Sequence, residues 1–247
     1  MSDAAVIEVD DAGPGTGHGG RTGARTLASA IYARLRSEIL AGTRPASEKL
    51  LIAPLAKRFN VSLASVREAL SRLVADGLVT AEDQRGFRVS PLSLADLVDA
   101  THTRIELEGL ALRRSIERGE AAWEGALAAA WRDLQSVPHT SPDDRLHHSE
   151  AWSVRHARFH AALVAACGLE WLLKFRSTLY EQTERYRRIG LVLNPEPRDV
   201  AGEHRRIVDA ALARDAPAAV AELTAHFQRT ADAIVQAYRQ RGTDVMS

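Results

Sequence analysis

Long amphipathic segments fill the sequence from Ser93 onward and constrain its fold more than any other feature. Apolar residues recur there at intervals of three and four, and few stretches show the alternation that predicts strands. This periodicity predicts six helices, at residues 94–118, 121–136, 147–167, 170–190, 198–214 and 216–240. Loops such as "VPHTSPDD" and "LNPEP" separate them. An all-α helical bundle is therefore expected, because it buries one apolar face of each helix.

The segment before Ser93 has shorter elements in a different order. Apolar residues recur every four positions in a first predicted helix, at Leu27, Ile31, Leu35 and Ile39. Two more helices are predicted at about 52–59 and 63–76, separated by the tight turn "NVS". The runs "LVT" and "FRV" flank "AEDQRG" and predict a β-hairpin. The expected fold class is mainly α: an N-terminal winged helix-turn-helix with a small hairpin wing, then the helical bundle.

The change of pattern near residue 92 predicts where the domains lie. Residues 1–24 contain a glycine-rich stretch without apolar periodicity and are expected to form a disordered arm. Residues 25–92 would form the winged domain, residues 93–240 the helical domain, and residues 241–247 a tail. No run approaches the roughly 18 apolar residues of a membrane span, and the N-terminus is acidic where a secretory signal is basic, so a cytoplasmic protein is expected.

The charge of the chain is distributed unevenly, although its net value is zero. Residues 25–92 hold 11 Lys and Arg against 6 Asp and Glu, a net charge of +5. The rest of the chain holds the remaining 21 basic and 26 acidic residues, a net charge of −5. A basic excess confined to the predicted winged domain favours an anionic partner such as DNA.

One face of the helix predicted at 63–76 is suited to a DNA groove. Its apolar stripe must face the other helices, which leaves Ala64, Arg67 and Ser71 on the opposite face. Small residues beside an arginine allow the helix backbone to approach a surface closely, and the major groove admits one α-helix. This face therefore predicts contact with double-stranded DNA.

Residues flanking this helix could contact the DNA backbone. Ser62 can cap the helix, whose first N–H groups are then placed to meet a phosphate. Arg85 and Gly86 lie at the predicted hairpin tip, where the arginine can reach a groove edge or a phosphate. The alternative is a small helical subdomain whose arginines are only solvated.

At these residues the chain resembles a known family. "VSLASVREALSRLVADGLV" followed by "QRGFRV" is similar to the DNA-binding domain of GntR-type bacterial transcription regulators, over residues 25–92. The resemblance implies that Arg67 contacts operator DNA. It also implies that a further set of residues lies near the phosphates or in the wing: Lys49, Ser62, Arg85 and Gly86. Many members have arginine where this chain has Ala53 and Leu63, so the operator sequence does not transfer.

Four histidines fall on the apolar faces of three predicted helices. His156 and His160 are one turn apart in "RHARFH", His204 shares a stripe with Ile207, and His226 shares one with Leu223. Neutral imidazole binds Zn²⁺ and related divalent ions, and a bundle core brings ligands from different helices together. The alternative is a set of buried histidines, each hydrogen-bonded to a neighbour.

The second half of the chain is similar to the helical FCD effector domain found in the FadR-like branch of the same family. "TRIELEGLA", "RFHAAL", "EHRRIVDAAL" and "AHF" carry the resemblance, over residues 93–238. In many members an Asp or Asn, a His four residues later and two further histidines hold a metal. Those positions match His156, His160, His204 and His226, so His156 replaces the acidic or amide ligand. The loss of a carboxylate favours Zn²⁺ or Ni²⁺.

We therefore hypothesise a homodimeric repressor whose helical domain senses a small organic acid. The metal and Arg104 would hold the acid, with Glu108 from the same "R..LE" motif and with Arg185 and Tyr186 from "ERYRR". Exposed charge explains Arg185 and Tyr186 equally well. The longer match, which includes "QRGFRVSPLS", is similar to regulators of the carbon-starvation, glutarate-catabolism type and suggests a dicarboxylate effector.

Two other functions compete with this interpretation. A helical metal-dependent hydrolase would use the histidines to activate water, with Glu108 or Glu203 as the base. The chain shows no hydrolase signature, so no catalytic residue is assigned and an enzyme is not expected. A metal-free regulator that senses acyl-CoA is the other alternative.

Overall fold

The computed structural model describes residues 19–82, 86–140, 149–193 and 198–241. The chain divides into two compact units, and the boundary falls between Pro91 and Leu92. None of the helices in these ranges combines the length and the apolar character that a membrane span requires. The predicted fold class is confirmed, because the first unit combines a helix-turn-helix with a small antiparallel sheet and the second unit is helical.

The first unit contains three helices and three short strands within the described residues. In chain order they are α1 (Gly19–Leu40), β1 (Lys49–Leu50), α2 (Ile52–Phe59), α3 (Leu63–Ala75), β2 (Val79–Glu82) and β3 (Gly86–Val89). The strands form one antiparallel sheet in the order β1-β3-β2, with Lys49 opposite Arg88 and Val79 opposite Val89. The sequence did not predict β1, because two residues are too few to show alternation.

Helix α1 begins earlier than the sequence predicted. Residues 19–24 were assigned to the arm but belong to the helix, whereas residues 1–18 lie outside the described residues. The glycines in this stretch obscured the helix, since glycine disfavours a helix and contributes no apolar side chain. Extension of an existing helix requires one residue per hydrogen bond, so a helix can continue beyond its packed face.

The core of the first unit includes the predicted stripes of α1 and α3, together with apolar residues of α2 and of the sheet. The fully buried side chains include Ile31, Leu35, Val66, Leu70, Leu73 and Leu78. The turn between α2 and α3 depends on Asn60, which adopts a left-handed conformation (φ 53°, ψ 51°) and donates its N–H to carbonyls in the last turn of α2. The turn and the core together fix the direction of α3.

Glu38 near the end of α1 joins α1 to α2 through arginines. Arg58 donates to both carboxylate oxygens, at 2.6 and 3.0 Å, and Arg44 donates at 2.8 Å. Burial raises the pKa of Glu38, but the hydrogen bonds and charges of Arg58 and Arg44 outweigh burial and hold the pKa below its ordinary value. The ionised carboxylate therefore joins the end of α2 to the end of α1.

The second unit contains six helices within the described residues. They are α4 (Leu94–Arg118), α5 (Ala121–Gln135), α6 (Glu150–Val164), α7 (Glu170–Leu193), α8 (Val200–Leu212) and α9 (Ala216–Arg241). Helix α4 packs against α6, α7 and α9, while α5 packs against α6 and α8. The core between them includes Leu112, Leu127, Phe159, Leu163 and Ile207. All six predicted helices are present, and the lone Cys167 is buried in this core as a filler.

Substitution of Glu38 by Gln tests the link between α1 and α2. Loss of these charged hydrogen bonds should reduce the free energy of unfolding by about 1–3 kcal/mol at pH 7. Because the folded-state pKa is depressed, the stabilisation is present above the unfolded pKa of about 4.3 and is lost as the pH falls through the folded pKa. Urea unfolding should therefore show a smaller gap between parent and variant at pH 4 than at pH 7. An equal gap at the two pH values would contradict this account.

Candidate nucleic-acid interface and metal centre

The outer face of α3 carries the side chains expected to meet DNA. Ala64, Arg67 and Ser71 are exposed, and Arg67 makes no hydrogen bond or ion pair with the described residues. Ser62 caps the helix by accepting a hydrogen bond from the backbone N–H of Ser65 at 3.1 Å. Leu63, which stands where many family members have arginine, is 57% exposed at the start of the same helix. The helix thus presents a small-residue surface with one free guanidinium.

Two other arginines of α2 and α3 are already engaged within the first unit. Arg58 is bound to Glu38, and Arg72 donates to the hydroxyl of Ser29 at 3.0 Å while its guanidinium lies 4.2 Å from the ring centroid of Tyr32. These contacts orient both arginines toward the protein. Arg67 is therefore unpaired among the described residues, whereas Arg72 on the same helix is held by Ser29 and Tyr32, although both carry the same charge.

The predicted wing residues are partly described. Lys49 is exposed on β1, and Gly86 begins β3 with φ 93°, a conformation that favours glycine. Arg85 lies outside the described residues. The wing thus places one exposed lysine on its outer strand.

The four predicted histidine ligands lie together in the second unit. The Nδ1 or Nε2 atoms of His156, His160, His204 and His226 can be chosen so that all lie within 4.8 Å of one another, and all four side chains are buried. Helix α6 supplies the first two, α8 the third and α9 the fourth. Trp152, one turn before His156 on α6, stacks on that ring with centroids 4.3 Å apart. The packing of three helices therefore converges four imidazoles on one point.

The imidazoles are kept neutral by their surroundings. Burial lowers the pKa of each of the four, and the neighbouring histidines and arginines lower it further for His156 and His160. A neutral imidazole has a nitrogen lone pair available for a cation. The cluster therefore has the protonation state that metal binding requires.

The hydrogen bonds of the cluster leave nitrogens unused. His156 Nδ1 lies 3.1 Å from the hydroxyl of Tyr180, and His226 Nδ1 lies 2.8 Å from a carboxylate oxygen of Glu203. His160 Nδ1 and His204 Nε2 are buried without a hydrogen-bond partner in the described part of the chain. His160 Nε2 also lies 3.1 Å from His156 Nε2, so the alternative of histidines hydrogen-bonded to neighbours accounts for His156, His160 and His226 but leaves His204 Nε2 unpaired within the described residues.

A narrow cavity of about 30 Å³ adjoins the histidine cluster. Its lining combines three of the histidines with cationic, hydroxyl and apolar groups from α4, α7 and α9: Leu97, Thr101, Arg104, His156, His160, Tyr180, Thr183, Glu184, Arg187, His226, Phe227, Thr230, Ala231 and Ile234. Polar side chains on opposite helices thus face a shared space beside the imidazoles.

Two arginines of the lining have unused donors. Arg104 is bound to Glu108 at 2.5 Å and to the Thr183 hydroxyl at 2.9 Å, and its Nη2 is buried without a partner in the described residues. Arg187 is paired with Glu184, and its buried Nη1 is likewise unpartnered there. Unpaired cationic N–H groups in a low-dielectric space favour an anion.

The other predicted effector residues lie away from the cavity lining. Glu108 is fully buried between Arg104 and Arg176, so it balances charge behind the cavity. Tyr186 donates its hydroxyl to Asp96 at 2.6 Å and accepts from the backbone N–H of Ser93, at the start of α4. Arg185 is also buried and is not part of the lining. The exposed-charge alternative for Arg185 and Tyr186 is wrong, because both side chains are buried.

Sequence reasoning missed several residues of this region. Tyr180, Thr183 and Arg187 lie on α7 at spacings of three and four, so they share one helical face. That periodicity was available in the sequence. Which face of α7 turned toward the histidines was not, because it depends on the packing of α7 against α4 and α9.

Comparison with known proteins connects both sites to one family. Residues 27–89 match the bacterial regulatory proteins of the gntR family, and residues 99–229 match the FCD domain. The chain is 40% identical over 212 residues to the HTH-type transcriptional regulator BphR of Paraburkholderia xenovorans, and the match covers 86% of each chain. It is 35% identical over 188 residues to the HTH-type transcriptional repressor GlaR of Escherichia coli K12, covering 74% of this chain and 84% of that one.

Solved structures support the same architecture. E. coli McbR/YncC aligns with a TM-score of 0.66 over 87% of this chain and 99% of its own, at 20% identity. A GntR regulator from Rhodococcus sp. RHA1 aligns with a TM-score of 0.69 over 87% of this chain and 100% of its own, also at 20% identity. At such identity these two structures establish the fold alone.

A winged helix-turn-helix joined to an all-helical domain defines a DNA-binding transcription regulator. The chain belongs to the GntR family of bacterial regulatory proteins and carries an FCD domain. Its helix-turn-helix domain binds operator DNA. The family and the relatives are transcription regulators rather than enzymes, which overturns the hydrolase alternative.

Proposed function

We propose that this chain is a homodimeric repressor that releases its operator when a small carboxylate binds beside a divalent metal in the FCD domain. One observation carries the proposal: three buried neutral histidines and two arginines with unpartnered donors line the same cavity. The relative GlaR is named a repressor, which supports the sign of the regulation.

The four histidines suit a metal ion. They are buried, neutral and within reach of one another, and two of their nitrogens have no other partner in the described residues. His156, His160, His204 and His226 would hold the ion, and an all-imidazole set favours Zn²⁺ or Ni²⁺ over ions that prefer oxygen. The metal, when bound, supplies positive charge and coordination positions for a carboxylate.

The cavity favours an acid with two anionic ends. Arg104 on α4 and Arg187 on α7 can each donate to a carboxylate through a guanidinium nitrogen that has no partner in the described residues. This arrangement supports a dicarboxylate. The present volume is close to that of one water molecule, so an acid must push the lining side chains apart. Binding would therefore change how α4 and α7 pack, with a coupling energy of about 1–3 kcal/mol.

The first unit would read the operator through α3. Arg67 is the free cation on a face with small neighbours, so it can reach base edges in the major groove while Lys49, Ser62 and the wing contact phosphates. Each chain has one such helix, so a homodimer would place two of them on half-sites of a two-fold operator.

The exposed surface of α7 supports self-association. Trp171 is 69% exposed and Phe175 58% exposed, and their rings lie 6.1 Å apart. Large apolar side chains at this exposure are costly in water and are typical of interfaces. In a two-fold dimer the same surface would meet its own copy.

Substitution of Arg67 by Ala should weaken operator binding about 10- to 100-fold and reduce the salt dependence by roughly one phosphate or base contact. Arg72→Ala is the matched control, because it removes the same charge from the same helix but from a guanidinium held over Tyr32. Titration of a labelled duplex from upstream of the regulator's own gene measures both. Equal losses for the two variants would show that α3 does not read the operator as proposed.

Replacement of Trp171 by Asp should shift the chain from dimer to monomer, because a two-fold interface doubles each substitution. The control is Val154→Asp on α6, which also replaces an exposed apolar residue, here 43% exposed. Sedimentation velocity of the parent and both variants gives the masses. A Trp171→Asp chain that remains fully dimeric would exclude this surface.

Elemental analysis of the purified chain should find about one Zn or Ni per chain. His160→Ala should lose most of it, since one ligand disappears and the others lie in a buried site. His102→Ala should retain it, because His102 is exposed on α4 and outside the cluster. A parent chain that binds no metal, alone or after incubation with Zn²⁺ or Ni²⁺, would favour the metal-free acyl-CoA sensor.

A dicarboxylate of four to six carbons should lower operator affinity, whereas the monocarboxylate of equal length should act more weakly. Arg187→Gln should remove this difference, because one anionic end loses its partner. Arg188→Gln is the control: it shares the Glu184 partner but does not line the cavity. Titration of succinate, glutarate and adipate against the protein–DNA complex measures the effect. If none of them changes operator affinity, the dicarboxylate proposal is wrong.

A further inference from the structure

Glu203 lies directly behind one of the four histidines. Its side chain is almost fully buried on α8, and its Oε2 lies 2.8 Å from Nδ1 of His226 on α9. Arg198 and Arg229 donate to the same carboxylate, both through Nε, at 2.8 and 2.9 Å. Two guanidinium partners keep the carboxyl group ionised.

This contact determines which nitrogen of His226 carries the proton. An ionised carboxylate only accepts hydrogen bonds, so Nδ1 of His226 must be the donor. In a neutral ring the lone pair then resides on Nε2, which is free to bind a cation. The carboxylate thereby selects the tautomer that makes His226 a ligand.

The other histidines of the cluster lack such a constraint. His156 Nδ1 meets the Tyr180 hydroxyl, which can donate or accept, and the Nε2 atoms of His156 and His160 lie 3.1 Å apart, a contact in which either ring can be the donor. Their tautomers can therefore adjust when an ion binds. Among the described contacts, only that of Glu203 fixes a ring in advance with an acceptor-only group.

The negative charge of Glu203 is balanced by its arginine partners and so adds no net negative charge to the histidine cluster. Its single negative charge faces two guanidinium groups, so the three side chains together carry +1. Arg198 also donates to the backbone carbonyl of His226 at 2.9 Å and to the hydroxyl of Thr230 at 2.8 Å. The network therefore fixes the position of α9 near His226. Glu203 and its arginines thus orient a ligand of the histidine cluster rather than add charge to it.

We propose that Glu203 is a positioning residue for the metal centre, holding the His226 imidazole so that Nε2 faces the other three histidines. The inference rests on the proposed metal function of those histidines. Glu203 also precedes His204 in the chain, so one turn of α8 supplies a ligand and orients the ligand of α9. Carboxylates behind metal-binding histidines typically contribute 10- to 100-fold to metal affinity.

Glu203→Gln tests the proposal, because the amide can donate to Nδ1 and so favour the opposite tautomer. Zn²⁺ affinity, measured by competition with a chromogenic chelator, should fall about 10- to 100-fold. The absorption spectrum of the Co²⁺-loaded chain should change, since it reports ligand geometry. Arg229→Gln is the matched control: it removes one partner of the carboxylate but leaves the contact between Glu203 and His226. Its Zn²⁺ affinity should stay close to that of the parent.

The outcomes separate this inference from the proposed function. A parent and a Glu203→Gln chain that bind Zn²⁺ equally well would overturn the positioning role and leave the metal function intact. A parent that does not bind Zn²⁺ would overturn both. If the variant fails to fold by circular dichroism, nitrogen NMR of the histidine rings in the metal-free parent decides. Protonation of His226 at Nδ1 supports the proposal, and protonation at Nε2 overturns it.

Discussion

The burial of four neutral imidazoles against one another is the constraint on which the helical domain depends. Each ring is desolvated, and an unpartnered buried nitrogen costs about 1–3 kcal/mol, so the arrangement is unfavourable unless a cation or a hydrogen bond uses the lone pairs. This free-energy cost arises where α6, α8 and α9 meet. A metal ion would convert the unsatisfied nitrogens into bonds between three helices, and so tie regulation to the packing of the domain.

Positive charge is in excess beside the cavity. Arg104 and Arg176 share the single carboxylate of Glu108, which leaves one buried positive charge beside the cavity. Arg104 also lies 4.0 Å from the ring centroid of Phe227, which orients its guanidinium without satisfying all of its donors. A bound carboxylate would complete this partly satisfied network. Helices α4 and α7 both contribute to the cavity lining. Tyr186 of α7 also holds the start of α4, the first helix after the domain boundary.

Much of this protein was accessible from the sequence because its signals are periodic. The apolar stripes of α1, α3 and the six later helices predicted the elements, and the spacing of His156 and His160 predicted that both face inward. The predictions from sequence were wrong where the periodicity of apolar residues carries no information. It missed β1, which has two residues, and it placed the start of α1 too late because glycines hid the first turns. The orientation of Tyr186 was also missed, since an aromatic residue with a hydroxyl suits a cavity and a helix start equally well.

The sequence by itself determined the two-part organisation and the exposed face of α3 around Arg67. It also determined which four histidines face the interior of the helical domain. Those features depend on residue type and on spacing along one helix, which are local. Tertiary structure alone decided that Arg187 rather than Arg185 faces the cavity, that Glu108 lies behind it between two arginines, and that Glu203 contacts His226. Each of these depends on how two helices rotate and pack against each other. That rotation is set by the combined fit of many core side chains, and no single stretch of sequence contains it.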